Sequence, residues 1–169
     1  MNFLVTGGAG FIGSHVCERL LHDGHHVWAF DDLNHFYDPQ FKQRNLRAVQ
    51  SLAKPFEFVH GDITDSTALD GIFSSVKFDQ VIHLAARAGV RPSLAEPALY
   101  QRVNVEGTVN LLEAARKTGV KKITLASSSS VYGVNAKVPF SHCGCDRVTG
   151  GFVTGTPASA HMARSRLEM

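Results

Sequence analysis

Two clusters of residues in this 169-residue chain could do chemistry. The first is TGGAGFIG, where Gly7, Gly10 and Gly13 stand between a short apolar run and an amphipathic stretch. Glycines in that place let the backbone turn tightly and let a phosphate reach backbone amides with no Cβ in the way. The helix that follows would aim its free N–H groups and positive dipole end at the same phosphate. Turns use glycine for steric reasons too, but three contexts agree here: the apolar run before, the helical stretch after, and an acid, Asp31, closing the second apolar run. A carboxylate there is placed to accept both hydroxyls of an adenosine ribose and to repel a 2′-phosphate, which favours NAD over NADP. Asp32 is the neighbouring candidate, or else a cap or turn residue. The second cluster is TLASSSSVYG, four serines where an apolar run ends. Small hydroxyls at a strand exit make a floor that touches a polar ligand.

The elements that must position these residues follow from periodicity. Short apolar runs alternate with amphipathic stretches, the pattern of βαβ units on a parallel sheet. NFLVT, HVWAF, FEFVH, QVIHLAA and KITLAS read as five strands. A helix with Ile12, Val16 and Leu20 on one face follows the first and closes at Gly24. Another starts at Pro39. Asp65 or Ser66 caps a third, with Leu69, Ile72, Phe73 and Val76 inward. A fourth runs from about Pro97 to Thr118, with Val103, Leu111 and Ala115 inward. The expected fold is a three-layer α/β, Rossmann-type doubly wound parallel sheet in the order 3-2-1-4-5, ending near residue 130.

Composition narrows the function classes. The chain is 44% hydrophobic and 19% charged with a formal net charge of +2, a globular balance with no case for nucleic acid or a membrane surface. No stretch reaches the roughly 20 apolar residues of a membrane span, and the apolar opening breaks too early for a signal peptide. Three cysteines, Cys17, Cys143 and Cys145, make neither a disulfide framework nor a metal site, so a cytoplasmic setting is expected.

The GxxGxxG spacing, HLAA after the fourth strand and SSSSVYG after the fifth resemble the extended short-chain dehydrogenase/reductase superfamily. DDLNHFYDP and HLAARAGVRPSL resemble, within it, the NAD-dependent nucleotide-sugar epimerases, closest to the UDP-glucuronate 4-epimerase group, where a tyrosine is expected at Phe36. The likeness covers residues 1–140. It implies a homodimer acting on a nucleotide sugar, with NAD held by Gly7, Gly10, Phe11, Ile12, Gly13, Asp31 and Asp32. It further implies that Asp62 and Ile63 flank the adenine, the lesser alternative being a strand-end turn capped by the Asp. Leu84, Ala85 and Ala86 would run under the cofactor, and Asn104 would help hold its active-site end. Arg87 becomes a candidate for a cofactor or substrate contact and Arg91 for a substrate carboxylate or phosphate, or else a surface pair, and His83 reads as a hydrogen-bonded structural residue.

Aligned on Val131–Tyr132–Gly133, the family's catalytic hydroxyl falls on Ser128, which would hydrogen-bond the sugar oxygen that becomes a ketone. Its partner in the family is a Tyr-x-x-x-Lys pair. A phenol of pKa about 10 needs a nearby cation to act as a base near neutrality. With the usual spacing that pair falls near 153 and 157, where this chain has Val153 and Pro157. No tyrosine follows Tyr132 and no lysine follows Lys137. The pattern also breaks abruptly at Ser141–His142. The expected organisation is therefore a cofactor domain over 1–140, an irregular or disordered tail over 141–169, and no C-terminal substrate domain, whether by a shifted reading frame, a mis-joined gene or a truncation. The expected function is an incomplete, inactive 4-epimerase. The alternatives are a non-catalytic NAD-binding fragment and the cofactor half of a nucleotide-sugar 4,6-dehydratase.

Overall fold

The computed structural model describes residues 1–128 and 162–163. Five parallel strands form its sheet: β1 (Asn2–Thr6), β2 (His26–Asp31), β3 (Phe56–His60), β4 (Gln80–His83) and β5 (Ile123–Ala126). They lie in the order β3-β2-β1-β4-β5, as expected, with a two-residue β6 (Met162–Ala163) added antiparallel to β5. That short strand falls inside the Ala158–Leu167 stretch, which carries weak helical signals in the sequence. The other expectations for residues 129–161 and 164–169, including Tyr132, Cys143, Cys145 and the tail, lie outside the described residues.

Helix α1 (Phe11–His22) follows β1 and α2 (Pro39–Gln50) follows β2. They cover one sheet face, where Phe3, Val5, Cys17, Leu21, Val27, Val49 and Ile82 form one core. The other face packs α3 (Ser66–Ser75) and α6 (Gly107–Lys117) over Leu4, Phe30, Leu69, Phe73, Val81 and Leu111. Alternate β1 residues thus feed opposite cores, which is why NFLVT is apolar throughout. Caps fix the helix starts: Asp38 Oδ1 accepts from Gln40 N, and Asp65 Oδ1 from Thr67 N and Ala68 N. Cys17 is fully buried in α1, and burial pushes its thiol up to about 12, so it is inert packing. Among the described residues no helix is long and apolar enough to cross a membrane.

Two elements depart from the sequence reading. β4 stops at His83 rather than at Ala86, and Leu84–Ala86 leave the sheet. The single helix expected from Pro97 to Thr118 is instead α5 (Pro97–Gln101), a π turn over Arg102–Glu106, and α6, preceded by a short α4 (Val90–Ala95). The π turn brings Asn104 against the chain leaving β4, where its amide closes two bonds on one backbone unit. Arg87 N donates to Asn104 Oδ1 at 2.7 Å, and Asn104 Nδ2 donates to Arg87 O at 3.0 Å. The Tyr100 hydroxyl donates to Ala88 O one residue further on. Segment 84–88 is therefore a fixed wall.

Candidate dinucleotide site

The strand order reverses between β1 and β4, and a crevice opens there at the carboxyl ends of the strands, where α/β sheets bind ligands. It is a cleft of about 520 Å³. Gly7, Gly10, Phe11, Ile12 and Gly13 line one side, Asp31, Asp32, Asp62 and Ile63 another, and Leu84, Ala85, Ala86 and Arg87 a third. The sequence-predicted cofactor residues therefore converge, with the exception of Asn104. That residue does not line the cleft; its side chain is spent on the Arg87 backbone, and it positions the wall.

Two of the glycines are dictated by the protein itself. Gly7 has φ +70°, and a Cβ on it would lie 2.8 Å from Ala85 N. A Cβ on Gly13 would lie 2.1 Å from Gly7 O, so α1 could not sit so close to the turn. Gly10 is different: a Cβ there would meet Gly7 O at 3.2 Å and otherwise face the cleft. Gly13→Ala is accordingly expected to cost about 1–3 kcal/mol by overpacking, whereas Gly10→Ala should fold nearly as the parent does. Urea unfolding of the two variants checks this, and equal losses would contradict it. Beyond Gly10, the first α1 hydrogen bond is Ser14 N to Gly10 O at 2.9 Å. Helix geometry leaves the preceding amides without intrahelical partners, and α1 has no acid in its first turn. The start of α1 suits an anion.

Asp31 is where the sequence expectation is corrected. It is only 4% exposed, and its carboxylate is already engaged. Oδ1 accepts from Lys42 Nζ at 2.8 Å and from Leu33 N at 2.9 Å, and Oδ2 accepts from Ala9 N at 3.2 Å. A carboxylate has about four acceptor positions, so one is left, on Oδ2. Asp31 alone therefore cannot take both ribose hydroxyls in this arrangement. Lys42, a residue the sequence reading missed, is buried beside it and stands 3.6 Å from Asp32 Oδ1. Its signal was present: Lys42, Leu46 and Val49 are the buried residues of α2, a cation in an apolar stripe. Burial pushes the Asp32 carboxyl up, but hydrogen bonds from Asn34 and the nearby Lys42 and Arg87 charges outweigh it, leaving Asp32 below its ordinary value.

The remaining candidates separate. Asp62 Oδ1 accepts from Thr64 N at 2.8 Å, so it is at once a turn residue and part of the cleft lining. Arg91 is exposed on α4 and does not line the cleft. Ser127 lines it, while Ser128 is 4% exposed and is not among the lining residues; Ser129 and Ser130 lie outside the described residues. His83 is buried and bridges Thr6 Oγ1 at 2.6 Å and Thr108 Oγ1 at 3.0 Å, in keeping with the structural reading. Phe36 and Tyr37, exposed at the cleft mouth, were not singled out as site residues.

The reversed strand order, the glycine turn and the carboxylate closing β2 define a Rossmann-type dinucleotide-binding fold. A family model described as GDP-mannose 4,6 dehydratase matches residues 4–144, and the chain belongs to that family. It is 43% identical over 164 residues to UDP-glucuronate 4-epimerase 3 of Arabidopsis thaliana, an alignment covering 96% of this chain and 36% of that protein. It is 48% identical over 130 residues to the UDP-glucuronate 4-epimerase of Thermodesulfobacterium geofontis, covering 77% and 40%. Among solved structures it superposes on UDP-glucose 4-epimerase from Bifidobacterium longum, in complex with NAD+ and UDP, with a TM-score of 0.77 and 34% identity. That match covers 84% of this chain and 41% of the other. The chain thus spans well under half the length of these relatives.

Proposed function

We propose that this chain is the NAD-binding part of a nucleotide-sugar 4-epimerase, with UDP-glucuronate or a related UDP-sugar as substrate. The observation that carries this is the cleft at the strand-order reversal, where a glycine turn, the start of α1 and the Asp31–Lys42 pair meet in a chain similar to 4-epimerases. The cradle fits the cofactor, since Gly10 leaves open the space that a side chain would fill. When bound, NAD supplies a hydride acceptor and donor at the sugar C4.

The chain's own residues bind and orient. Amides at the start of α1 meet the diphosphate. Asp31 Oδ2 accepts one hydroxyl of the adenosine ribose, and Lys42 Nζ donates to the oxygen of the other. Ile63 and Asp62 border the adenine, and Leu84–Ala86 keep the far wall low. The proposed role of Ser128, a hydrogen bond to the reacting sugar hydroxyl, belongs to this reading. A serine cannot be the base, however, and residues 1–169 hold no Tyr-x-x-x-Lys downstream of it. General-base catalysis contributes roughly 10²–10⁴-fold.

The 169-residue chain is therefore expected to bind NAD more tightly than NADP and to leave sugar nucleotides unchanged. Calorimetric titration with each cofactor tests the first part; equal affinity would overturn the role given to Asp31. Incubation with NAD and UDP-glucuronate or UDP-glucose, followed by chromatography of the C4 epimers, tests the second. Turnover at an ordinary enzymatic rate would mean that another residue of this chain acts as the base.

A further inference from the structure

Among the described residues two cations line the cleft, Lys42 and Arg87, and they are in opposite states. Lys42 is committed to Asp31 at 2.8 Å. The Arg87 side chain has no hydrogen bond or ion pair among the described residues, and its Nε is buried without a partner. A guanidinium carries five donors, and leaving a charged one buried and unsatisfied is costly. The arrangement is not slack in the backbone, because Asn104 and Tyr100 clamp residues 87 and 88 on either side of the peptide bond that joins them. The fold thus fixes the backbone that carries Arg87 on the cleft wall, with the side chain's Nε unpaired among the described residues. Asp32, beyond the end of β2, lines the same cleft, and the Arg87 charge adds to the Asn34 hydrogen bonds and the Lys42 charge that lower its carboxyl.

We propose that Arg87 is an anion-binding arm for the diphosphate of the bound dinucleotide, closing on it from the β4 side while the start of α1 holds it from the other. The charge count favours this ligand group. A diphosphate brings two negative charges, α1 offers only amides and a partial positive end, and Lys42 is already neutralised. Arg87 is the one cation lining the cleft with no carboxylate at hydrogen-bond distance among the described residues. Its fork geometry suits two phosphoryl oxygens. The sequence left Arg87 between a cofactor and a substrate contact; this proposal gives it to the cofactor.

The proposal rests on the dinucleotide reading above, and the test separates the two. The 169-residue chain, Arg87→Met and Arg87→Lys are titrated by calorimetry with NAD, ADP and adenosine, and their thermal unfolding midpoints are compared. Arg87→Met is expected to weaken NAD and ADP by a similar factor, about 10- to 100-fold, the worth of a charge-assisted contact. Adenosine should bind both proteins alike. Arg87→Lys keeps the charge but not the fork and should recover part of the loss; it carries the test if the methionine variant does not fold. If the parent chain binds none of the three ligands, the dinucleotide reading falls and takes this proposal with it. If the parent binds NAD and ADP and Arg87→Met binds them within twofold of it, the proposal alone falls. A loss confined to a UDP-sugar, with ADP unchanged, also overturns it and returns Arg87 to the substrate.

Discussion

Exchanging Lys42 for methionine is expected to lower the unfolding free energy by about 3–5 kcal/mol, the usual cost of removing one partner from a buried ion pair. The Lys42 and Asp31 side chains are 7% and 3% exposed and meet at 2.8 Å. Without the ammonium, the Asp31 carboxylate keeps only the amides of Ala9 and Leu33, two neutral donors for a buried charge. Asp31→Asn has the mirror defect, a buried lysine whose remaining carboxylate is Asp32 at 3.6 Å. The double replacement Asp31→Asn with Lys42→Met removes both charges and should recover most of the stability. Urea unfolding of the four proteins at neutral pH gives the cycle directly. A loss below about 1 kcal/mol for Lys42→Met, the range of exposed pairs, would mean that the pair is not buried as described.

This pair also shows where sequence reasoning stopped. Asp31 was legible because its chemistry is tied to a fixed place, the end of the strand beside the glycine turn. What could not be read was that its acceptor positions are largely taken. That depends on Lys42, eleven residues on, being swung inward by α2 through a cap at Asp38 and a proline at the first turn. Residue type argued the opposite, since lysine is the residue least expected in a core. The stripe shared with Leu46 and Val49 was the available clue, and charge outweighed it.

The sheet was legible for a different reason. In a parallel sheet covered on both faces the strands must be apolar throughout, so each appears as an unbroken run. The same rule produced the error at β4. Leu84, Ala85 and Ala86 continue the apolar run of QVIH, but their low polarity serves the cleft wall rather than the sheet. Composition does not separate the two uses. The π turn over Arg102–Glu106 was not legible because, of the residues expected inward, Val103, Leu111 and Ala115, only one precedes α6, too few to reveal a rotation of the stripe. Its consequence, Asn104 against the Arg87 backbone, moved that asparagine from the cofactor to the wall that faces it.

Acid should weaken this chain through His83 in a way that a single replacement removes. The proton assignments follow from its neighbours. The Thr108 hydroxyl donates to Asn104 O at 2.8 Å, so it must accept from His83 Nε2–H. Nδ1 is then the acceptor, and takes the Thr6 hydroxyl proton at 2.6 Å, while Thr6 Oγ1 accepts from Ala85 N at 3.3 Å. One neutral imidazole thus ties β1, β4 and α6 to the start of the cleft wall. Burial pushes its pKa down to about 4 from an ordinary 6.5. The unfolded chain binds a proton as pH falls through 6.5, whereas the folded chain does not until pH 4. Stability contributed by His83 is therefore full above 6.5, declines between 6.5 and 4, and is flat below. The depression corresponds to about 3 kcal/mol in all. His83→Gln keeps a donor and an acceptor without titrating. Denaturant unfolding of both proteins from pH 7 to pH 4 should show the parent's stability relative to the variant falling by roughly that amount, with the carboxylate titrations common to both cancelling. A difference that stays constant across this window would mean that His83 is open to protonation in the folded chain, and that the wall it anchors is held by Asn104 and Tyr100 alone.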